Sequence, residues 1–231
     1  MTLQSHDPEE PAEFDKYALM YESMLAASVS ASGEPPEYFA AYKHKLIERM
    51  LEPNEARPVL DFGCGMGNLT TQLVKSFPVV HAYDPSRESV KLAKKRAPAA
   101  TFFSAPEALP ENHYSLAVIA NVLHHVPVED RAAILRGVVS KLAPGGRLVI
   151  FEHNPRNPLT RRAVSICPFD ENAVLLYPRE VRRLLVDAQL SNVGLDYVVF
   201  FPHALAFARP LEHGLRWLPI GAQVCAWGFR R

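Results

Sequence analysis

The sequence predicts an α/β fold in which helices cover a doubly wound, seven-stranded sheet. Strand patterns alternate with helix patterns from residue 58 to residue 192, an order typical of parallel strands joined by crossover helices. A glycine-rich turn follows the first strand, and an acidic residue ends the second strand. Doubly wound sheets bind nucleotide-like ligands at these two positions, so we expect a ligand site there.

The glycine-rich turn lies in the sequence VLDFGCGMGN, which begins at Val59. Gly63, Gly65 and Gly67 carry no Cβ atom, so the backbone there can turn sharply and approach a ligand closely. The helix predicted over 67–76 directs its free N–H groups toward the same turn. A nucleotide-like cofactor is therefore the expected ligand.

The residues around this turn distinguish two cofactor classes. In the dinucleotide fingerprint GxGxxG the third glycine would fall at Asn68, which disfavours an NAD-dependent oxidoreductase. Asp61, just before the glycines, suits a cationic ligand better than a pyrophosphate because like charges repel. The sequence DFGCGMGN resembles motif I of the class I methyltransferases that depend on S-adenosyl-L-methionine (SAM). SAM carries a sulfonium and an ammonium group, and it is the predicted cofactor.

The second predicted strand covers 77–84 and ends at Asp84, 17 residues after Gly67 (84 − 67 = 17). An acid at this position of a doubly wound sheet accepts hydrogen bonds from the ribose hydroxyl groups, and one carboxylate can accept two such bonds. We therefore predict that Asp84 and the adjacent Pro85 bind the cofactor. An N-cap role for Asp84 at the helix predicted over 86–97 is the alternative, and both roles can hold together.

The third predicted strand, over 100–104, lies along the adenine ring if the resemblance extends to it. In similar methyltransferases an acidic residue often receives the adenine amino group, and that position is Ala105 here. We therefore expect adenine recognition from the backbone near Ala105 and from the Ser104 hydroxyl.

The fourth predicted strand, over 116–120, runs into the sequence NVLHHV, which resembles the motif after strand four in the same family. The resemblance implies that Asn121 flanks the methionine part of SAM. The acid common near the start of this strand is Ser115 here. Together with Ala105, this departure keeps open a protein that binds SAM, or another adenosyl ligand, without catalysis.

Further helices and strands complete the predicted core, which covers 57–231. Helices are predicted over 129–142 and 178–189, and strands over 147–152, 193–201 and 222–229. The resemblance implies that the seventh strand is inserted antiparallel to its neighbours.

Residues 1–56 are predicted to form an N-terminal helical cap. Residues 14–21 read FDKYALMY, which is similar to the FDxxAxxY opening of small-molecule methyltransferases, and we place Tyr21 at the cofactor. A second helix is predicted over 38–51. Its Lys43 is interpreted as a solvated residue, with a contact to the SAM carboxylate as the alternative.

Two segments of the core are predicted to face the substrate, 153–177 and 202–221. A stretch of about 20 residues without clear regular structure is more often functional than neutral, so we expect 153–177 to select the substrate. For 202–221, a lid, a homodimer contact and a lipid-facing surface remain open alternatives.

Composition narrows the class of protein. Lys and Arg number 25 and Asp and Glu number 25, and this balance argues against a nucleic-acid partner. No apolar stretch approaches the length of a membrane span, and the polar, acidic N-terminus is unlike a signal peptide. The 3 cysteines are widely spaced and lack metal-binding spacing, which indicates a reduced, cytoplasmic protein.

The predicted reaction is methyl transfer from SAM to a small-molecule substrate, with a hydroxyl oxygen as the acceptor atom. Nitrogen and carbon acceptors remain alternatives. A hydroxyl nucleophile gains from a base, and histidine titrates nearest neutral pH. His124 is the first candidate and His153 the second, with His125 and Glu152 as further choices. We expect no metal ion, and a metal site made by these histidines is the lesser alternative.

Overall fold

The structure is a computed structural model that describes residues 21–51 and 58–231. Most of the FDxxAxxY motif lies outside the described residues. Tyr21 begins the first helix, but its side chain also lies outside the description. Its contact with the cofactor therefore stays a prediction.

Helices and strands alternate along most of the described chain. The α-helices are α1 (Tyr21–Val29), α2 (Pro36–Met50), α3 (Thr70–Leu73), α4 (Arg87–Arg96), α5 (Arg131–Lys141), α6 (Pro158–Ser165), α7 (Pro178–Asp187) and α8 (Glu212–Leu215). The strands are β1 (Val59–Phe62), β2 (Val80–Tyr83), β3 (Thr101–Phe103), β4 (Tyr114–Ala120), β5 (Leu142–His153), β6 (Ser191–Val198) and β7 (Gln223–Phe229). Short 3-10 helices cover Ser30–Ser32, Pro106–Ala108, Leu123–His125, Pro168–Asp170 and His203–Leu211. None of the described helices combines the length and apolar character needed to cross a membrane.

Within the described ranges the strands form one seven-stranded sheet in the order β3-β2-β1-β4-β5-β7-β6. Strands β1 to β5 pair in parallel, whereas β7 runs antiparallel to both β5 and β6. The strand order reverses between β1 and β4, where an open α/β sheet forms its ligand crevice. The predicted doubly wound sheet with an antiparallel seventh strand is confirmed.

Two hydrophobic layers cover the two faces of the sheet. In β4, Ala117 and Ile119 belong to the layer that contains α5 and α7, while Leu116 and Val118 belong to the layer that contains α2 and α3. Successive side chains of a strand point to opposite faces, which explains this alternation. Both faces of the sheet are covered, which explains why residues 116–120 of β4 are all apolar. Strand β4 pairs with β1 on one side and with β5 on the other.

Element boundaries differ from the prediction where the backbone leaves regular geometry. The helix predicted over 67–76 is reduced to Thr70–Leu73, because Gly67 has a φ of +81° and turns replace the first residues. Strand β6 ends at Val198 instead of residue 201. The next residue, Val199, has a φ of +60°, which no strand accommodates.

The segment 202–221 is joined to α2 by the buried carboxylate of Glu212. The Tyr42 hydroxyl donates to Oε2 of Glu212 at 2.5 Å. The N–H groups of Phe200 and Phe201 donate to Oε1 at 3.1 Å and 3.2 Å. This network holds the chain after β6 against α2.

A buried arginine joins the loop after β4 to the chain before α7. Arg131 is 1% exposed, and its Nε donates to the Val126 carbonyl at 3.1 Å while its Nη2 donates to the Val174 carbonyl at 2.6 Å. Its Nη1 pairs with Glu180 at 2.8 Å. The Val174 N–H donates in turn to the His124 carbonyl at 2.8 Å. Arg131 therefore fixes the loop that carries the adjacent histidines.

We expect Arg131→Ala to lower the free energy of unfolding by about 2–4 kcal/mol, because a fully buried side chain and its three hydrogen bonds are lost and a void remains. Urea denaturation followed by circular dichroism measures this change. Arg183→Ala is the matched control, since Arg183 lies on α7 with its side chain 83% exposed. Its pair with Asp187 should contribute less than about 1 kcal/mol. Equal losses in the two variants would contradict the role of Arg131.

Candidate active site

A cavity of about 570 Å³ opens at the carboxyl ends of β1, β4 and β5. Polar lining residues come from the glycine turn, the end of β2 and the chain after β4 and β5: Asp61, Gly63, Gly65, Asp84, Asn121, His124, His125, His153 and Asp170. Helices α1 and α2 add Leu25, Val29, Phe39 and Lys43. The fold thus brings most of the predicted cofactor residues and both predicted catalytic histidines to one cavity, at the position expected for a ligand.

The glycine turn has the left-handed backbone that glycine permits. Gly63, Gly65 and Gly67 have φ values of +79°, +51° and +81°. A Cβ atom on Gly63 would lie 2.4 Å from a Val122 methyl group. A Cβ atom on Gly67 would lie 3.1 Å from that of Ala93, whereas one on Gly65 would meet nothing within 4 Å. Gly63 and Gly67 therefore permit close packing, while Gly65 faces open space. Gly67 is absent from the described lining of the cavity.

Asp84 follows β2 and holds the glycine turn in place. Its Oδ2 accepts a hydrogen bond from the Gly65 N–H at 2.7 Å, and its Oδ1 accepts one from the Ser86 N–H at 3.0 Å. The N-cap of α4 is Ser86, whose Oγ accepts from the Ser89 N–H, so the alternative N-cap role for Asp84 is wrong. Asp84 and Pro85 both line the cavity, and their cofactor contacts remain predictions.

Asp61 places a buried negative charge beneath the turn. It is 1% exposed, and the Thr70 hydroxyl donates to its Oδ2 at 2.7 Å. Burial raises the pKa of the Asp61 carboxyl to about 6, although the Thr70 hydrogen bond opposes this. The group is therefore mostly ionised at neutral pH, and it lines the cavity where a cationic ligand is expected.

Asn121 follows β4 in a left-handed conformation, with a φ of +58° that asparagine tolerates better than most residues. Its N–H donates to the Phe151 carbonyl at 2.8 Å, which ties it to β5. Its side-chain Oδ1 is buried and finds no hydrogen-bond partner among the described residues. Because buried polar atoms rarely stay unpaired, this oxygen offers an acceptor to a ligand.

The residues predicted to recognise adenine are not among the described residues that line this cavity. Ser104 and Ala105 are exposed and do not occur among the described residues that line it. Their contact with the cofactor stays a prediction, and the cavity geometry gives it no support.

His124 lies beside two carboxylates, and His153 packs against the His124 ring. His124 Nδ1 is 2.6 Å from Glu152 Oε2, and the ring centroids of His124 and His153 are 5.0 Å apart. On its other side, His124 Nε2 is 3.6 Å from Asp170 Oδ1. His125 Nε2 is 3.3 Å from the same oxygen. We call His124, His125, His153, Glu152 and Asp170 the histidine cluster.

Glu152 is the buried anion at the centre of the cluster. Its Oε1 accepts hydrogen bonds from the N–H groups of Val122 and Leu123 at 3.1 Å and 2.7 Å. Burial acts to raise the pKa of Glu152, but the charge of His124 outweighs it and holds the pKa below the usual value. Glu152 is therefore ionised and fixes both the loop after β4 and the His124 ring.

The same charges give the three histidines different pKa values. Burial alone would lower the pKa of His124, but the charge of Glu152 and then the contact with Asp170 raise it to about 9. Burial and the charge of His124 lower the pKa of His125 to about 4 and that of His153 to about 3. At neutral pH, His124 is therefore protonated while its two neighbours are neutral.

Lys43 was misinterpreted from the sequence. It is 6% exposed and lines the cavity, so its interpretation as a solvated residue is wrong. Burial lowers the pKa of its ammonium group to about 8, although the charges of Glu152 and then Asp61 oppose this. The signal was available, because Lys43 shares a helix face with the buried Ile47 at i+4.

Asp170 was not predicted as a functional residue. It lies within the predicted substrate segment 153–177, in the 3-10 helix Pro168–Asp170, 46 residues after His124 (170 − 124 = 46). No local pattern marks it, because its relation to the histidines arises only from the fold.

Comparisons with known proteins agree with this geometry. A family model described as a methyltransferase domain matches residues 37–195. The chain is 32% identical over 176 residues to a trans-aconitate 2-methyltransferase of Mycobacterium tuberculosis, which covers 67% of this chain and 66% of that protein. It is 27% identical over 144 residues to an uncharacterized methyltransferase of Bacillus cytotoxicus, which covers 60% of this chain and 65% of that protein. The chain thus spans less than two thirds of the length of either curated relative.

Two solved structures share the fold. A SAM-dependent methyltransferase from Archaeoglobus fulgidus has a TM-score of 0.70 at 13% identity and covers 93% of this chain and 100% of that chain. A magnesium protoporphyrin IX methyltransferase from Synechocystis PCC 6803, solved with bound SAH, has a TM-score of 0.54 at 16% identity and covers 96% and 90%.

The protein is a doubly wound α/β protein, as its strand order and antiparallel β7 show. Its ligand crevice lies at the glycine turn after β1. With the family model matched over 37–195, the chain belongs to the methyltransferase-domain family. The predicted class, a class I SAM-dependent methyltransferase, and the predicted cofactor, SAM, are confirmed.

We expect Gly65→Ala to weaken SAM binding at least tenfold, because a methyl group would enter the open space beside the cavity. Calorimetric titration with SAM measures the change. Gly145→Ala is the matched control. Gly145 has a φ of +78° and equally open space but does not line the cavity, so both variants should lose a similar stability of about 1–2 kcal/mol. Equal SAM affinities in the two variants would contradict the position of the cofactor.

We expect Lys43→Met to raise the free energy of unfolding by about 2–3 kcal/mol at pH 7, because the folded pKa of Lys43 lies below its unfolded value. Below the folded pKa of about 8 the charge is buried at full penalty. The penalty disappears as pH rises toward the unfolded pKa of about 10.4, so the gain should vanish by pH 10.5. Urea denaturation at both pH values tests this. Lys45→Met, at an exposed neighbour on α2, should show no such gain.

Proposed function

We propose that this protein transfers the methyl group of SAM to a small-molecule acceptor, with a hydroxyl oxygen as the acceptor atom. One observation carries the proposal: the glycine turn, Asp84 and the three histidines of the cluster all line one cavity. Membership of the methyltransferase-domain family supports methyl transfer. The acceptor is inferred from the chemistry of the cavity.

The residues of the cavity suit SAM. When bound, SAM supplies a methyl group that its sulfonium activates. Asp61 provides a negative charge for the cationic ligand, and Asp84 provides a carboxylate for the ribose hydroxyl groups. The unpaired Oδ1 of Asn121 provides an acceptor for the ammonium group. These contacts would position the methyl group toward the histidine cluster.

The principal contribution of the chain is alignment. Methyl transfer needs the nucleophile, the methyl carbon and the sulfur in line, and fixed orientation can supply about 7–11 kcal/mol of the barrier. The covering helices α1 and α2 place Val29 and Phe39 on the cavity, which limits the access of water. The same walls would hold an acceptor of small size.

His153 is the residue that we propose as the acceptor of the hydroxyl proton, because it is neutral at pH 7 whereas His124 is protonated. Its pKa of about 3 makes it a weak base, so alignment supplies most of the rate acceleration. His124, ranked first from the sequence, has both ring nitrogens facing carboxylates, at Glu152 and Asp170. The His153 ring lines the cavity and makes no hydrogen bond within residues 21–51 and 58–231. His124 would then act by placing a positive charge next to the oxygen as its proton leaves.

Lys43 favours an acceptor or cofactor group that carries a negative charge. A buried ammonium group in a ligand cavity is stabilised by a carboxylate. The SAM carboxylate is one candidate, and an acidic acceptor is the other. The relative named as a trans-aconitate 2-methyltransferase supports the proposal of an acidic acceptor.

The cellular location, the substrate-facing segments and the partners of the protein are also proposals. Cys64 and Cys225 are buried free thiols, which supports the predicted cytoplasmic location. The segments 153–177 and 202–221 both contribute lining residues, among them Thr160 and Pro202, which supports substrate contact. The homodimer and the absence of a nucleic-acid partner stay predictions.

Conversion of SAM to S-adenosylhomocysteine, measured with a panel of hydroxyl, carboxylate and amine acceptors, tests the proposed reaction. We expect turnover with a hydroxyl-bearing acceptor and expect His153→Ala to lower kcat at least tenfold while SAM affinity stays within twofold. His213→Ala, at an exposed histidine outside the cavity lining, is the control. Turnover restricted to amine acceptors would exclude the hydroxyl assignment, and equal losses of kcat and SAM affinity would exclude His153 as the base.

A further inference from the structure

Three side chains of the histidine cluster converge from two distant parts of the chain. His124 and His125 follow β4, and Asp170 ends the 3-10 helix after α6. One ligand atom of each lies within 4.8 Å of the other two. The His124 and His125 Nε2 atoms are 3.6 Å and 3.3 Å from Asp170 Oδ1. All three residues line the cavity.

These separations match those between the ligand atoms of one metal ion. A separation of 3.6 Å between His124 Nε2 and Asp170 Oδ1 is beyond hydrogen-bond range. Ligand atoms at about 2.1 Å from a tetrahedral metal lie about 3.4 Å from each other. The separations of 3.6 Å and 3.3 Å match this spacing, and ligand atoms within 4.8 Å of one another need a shift of about 1.4 Å at most.

Asp170 supplies an independent observation. Its side chain is 6% exposed, yet its Oδ1 makes no hydrogen bond to any residue that the structure describes. A buried carboxylate oxygen without a donor is unfavourable, and each such atom requires an explanation. This oxygen points between the two imidazole rings, where a cation would satisfy it.

Glu152 orients the site from behind. Its Oε2 binds His124 Nδ1 at 2.6 Å, which leaves Nε2 as the nitrogen directed to Asp170. A carboxylate on the far nitrogen is the usual partner of a metal-binding histidine, because it fixes the ring and raises its basicity. The two backbone N–H groups on Glu152 Oε1 hold this carboxylate in turn.

We propose that His124, His125 and Asp170 bind one divalent transition-metal ion in the cavity. Two imidazoles and one carboxylate favour zinc, iron, cobalt or nickel over magnesium or calcium. Three protein ligands leave coordination positions for water or an acceptor. This inference rests on the proposed function in one respect: the ion would act as a Lewis acid on the acceptor hydroxyl and lower its pKa.

The site also accounts for an unusual feature of the cluster. The His124 ring lies between two carboxylates, with Nδ1 facing Glu152 and Nε2 facing Asp170. The sequence predicted no metal because Asp170 is far from both histidines along the chain.

Titration of tag-free, chelator-treated protein with Co²⁺ tests the proposal through calorimetry and visible absorption. We expect one Co²⁺ per chain and d–d absorption bands typical of nitrogen and oxygen ligands. Asp170→Asn should weaken binding at least tenfold. Glu152→Gln should weaken it about 10–100-fold through the loss of ring orientation. His213→Ala, at the exposed histidine, should bind as the wild type does.

SAM binding measured on the same samples separates this inference from the proposed function. Asp170→Asn that binds SAM normally but loses Co²⁺ supports the metal site and shows that the variant is folded. Absence of Co²⁺ binding in the wild type, or unchanged affinity in Asp170→Asn, would overturn the site even where SAM is turned over. Stoichiometric Co²⁺ binding that depends on Asp170, without SAM turnover, would leave the site in place and remove the proposed reaction.

Discussion

The carboxylate of Glu152 is the interaction on which the candidate site depends. It ends a central strand, is fully buried, and accepts hydrogen bonds from two backbone N–H groups and the His124 ring. It therefore sets the path of the chain after β4 and the orientation of the first catalytic candidate together. A buried anion is stable only when such partners surround it, so the loop and the carboxylate require each other.

Local rules explain why the cofactor half of the site was predictable. Gly65 and Asp84 belong to a turn and a strand end whose positions follow from the topology of a doubly wound sheet, and the structure joins them by one hydrogen bond. The chemistry of these residues is encoded within about 20 positions, which is the usual separation in such nucleotide sites. The sequence thus carried both the fold and the cofactor class.

The acceptor half was less predictable because its parts meet only through tertiary structure. The histidines at 124 and 153 were visible as polar residues after strands, but Asp170 has no local signature. Lys43 was misjudged because a lone lysine on a helix is usually solvated, whereas the cavity wall here buries it. The late start of α3 was also not predicted. It follows from the left-handed backbone angle of Gly67, which helix propensity does not reveal.

The bond between Tyr42 and Glu212 has a consequence for the exchange of ligands. Because Glu212 also accepts hydrogen bonds from the N–H groups of Phe200 and Phe201, it links α2 to the chain after β6. Neither wall can swing outward on that side without exposing a buried carboxylate and three unpaired donors. Opening the cavity on that side requires these hydrogen bonds to break together, so one buried carboxylate restrains how far α2 and the chain after β6 can separate.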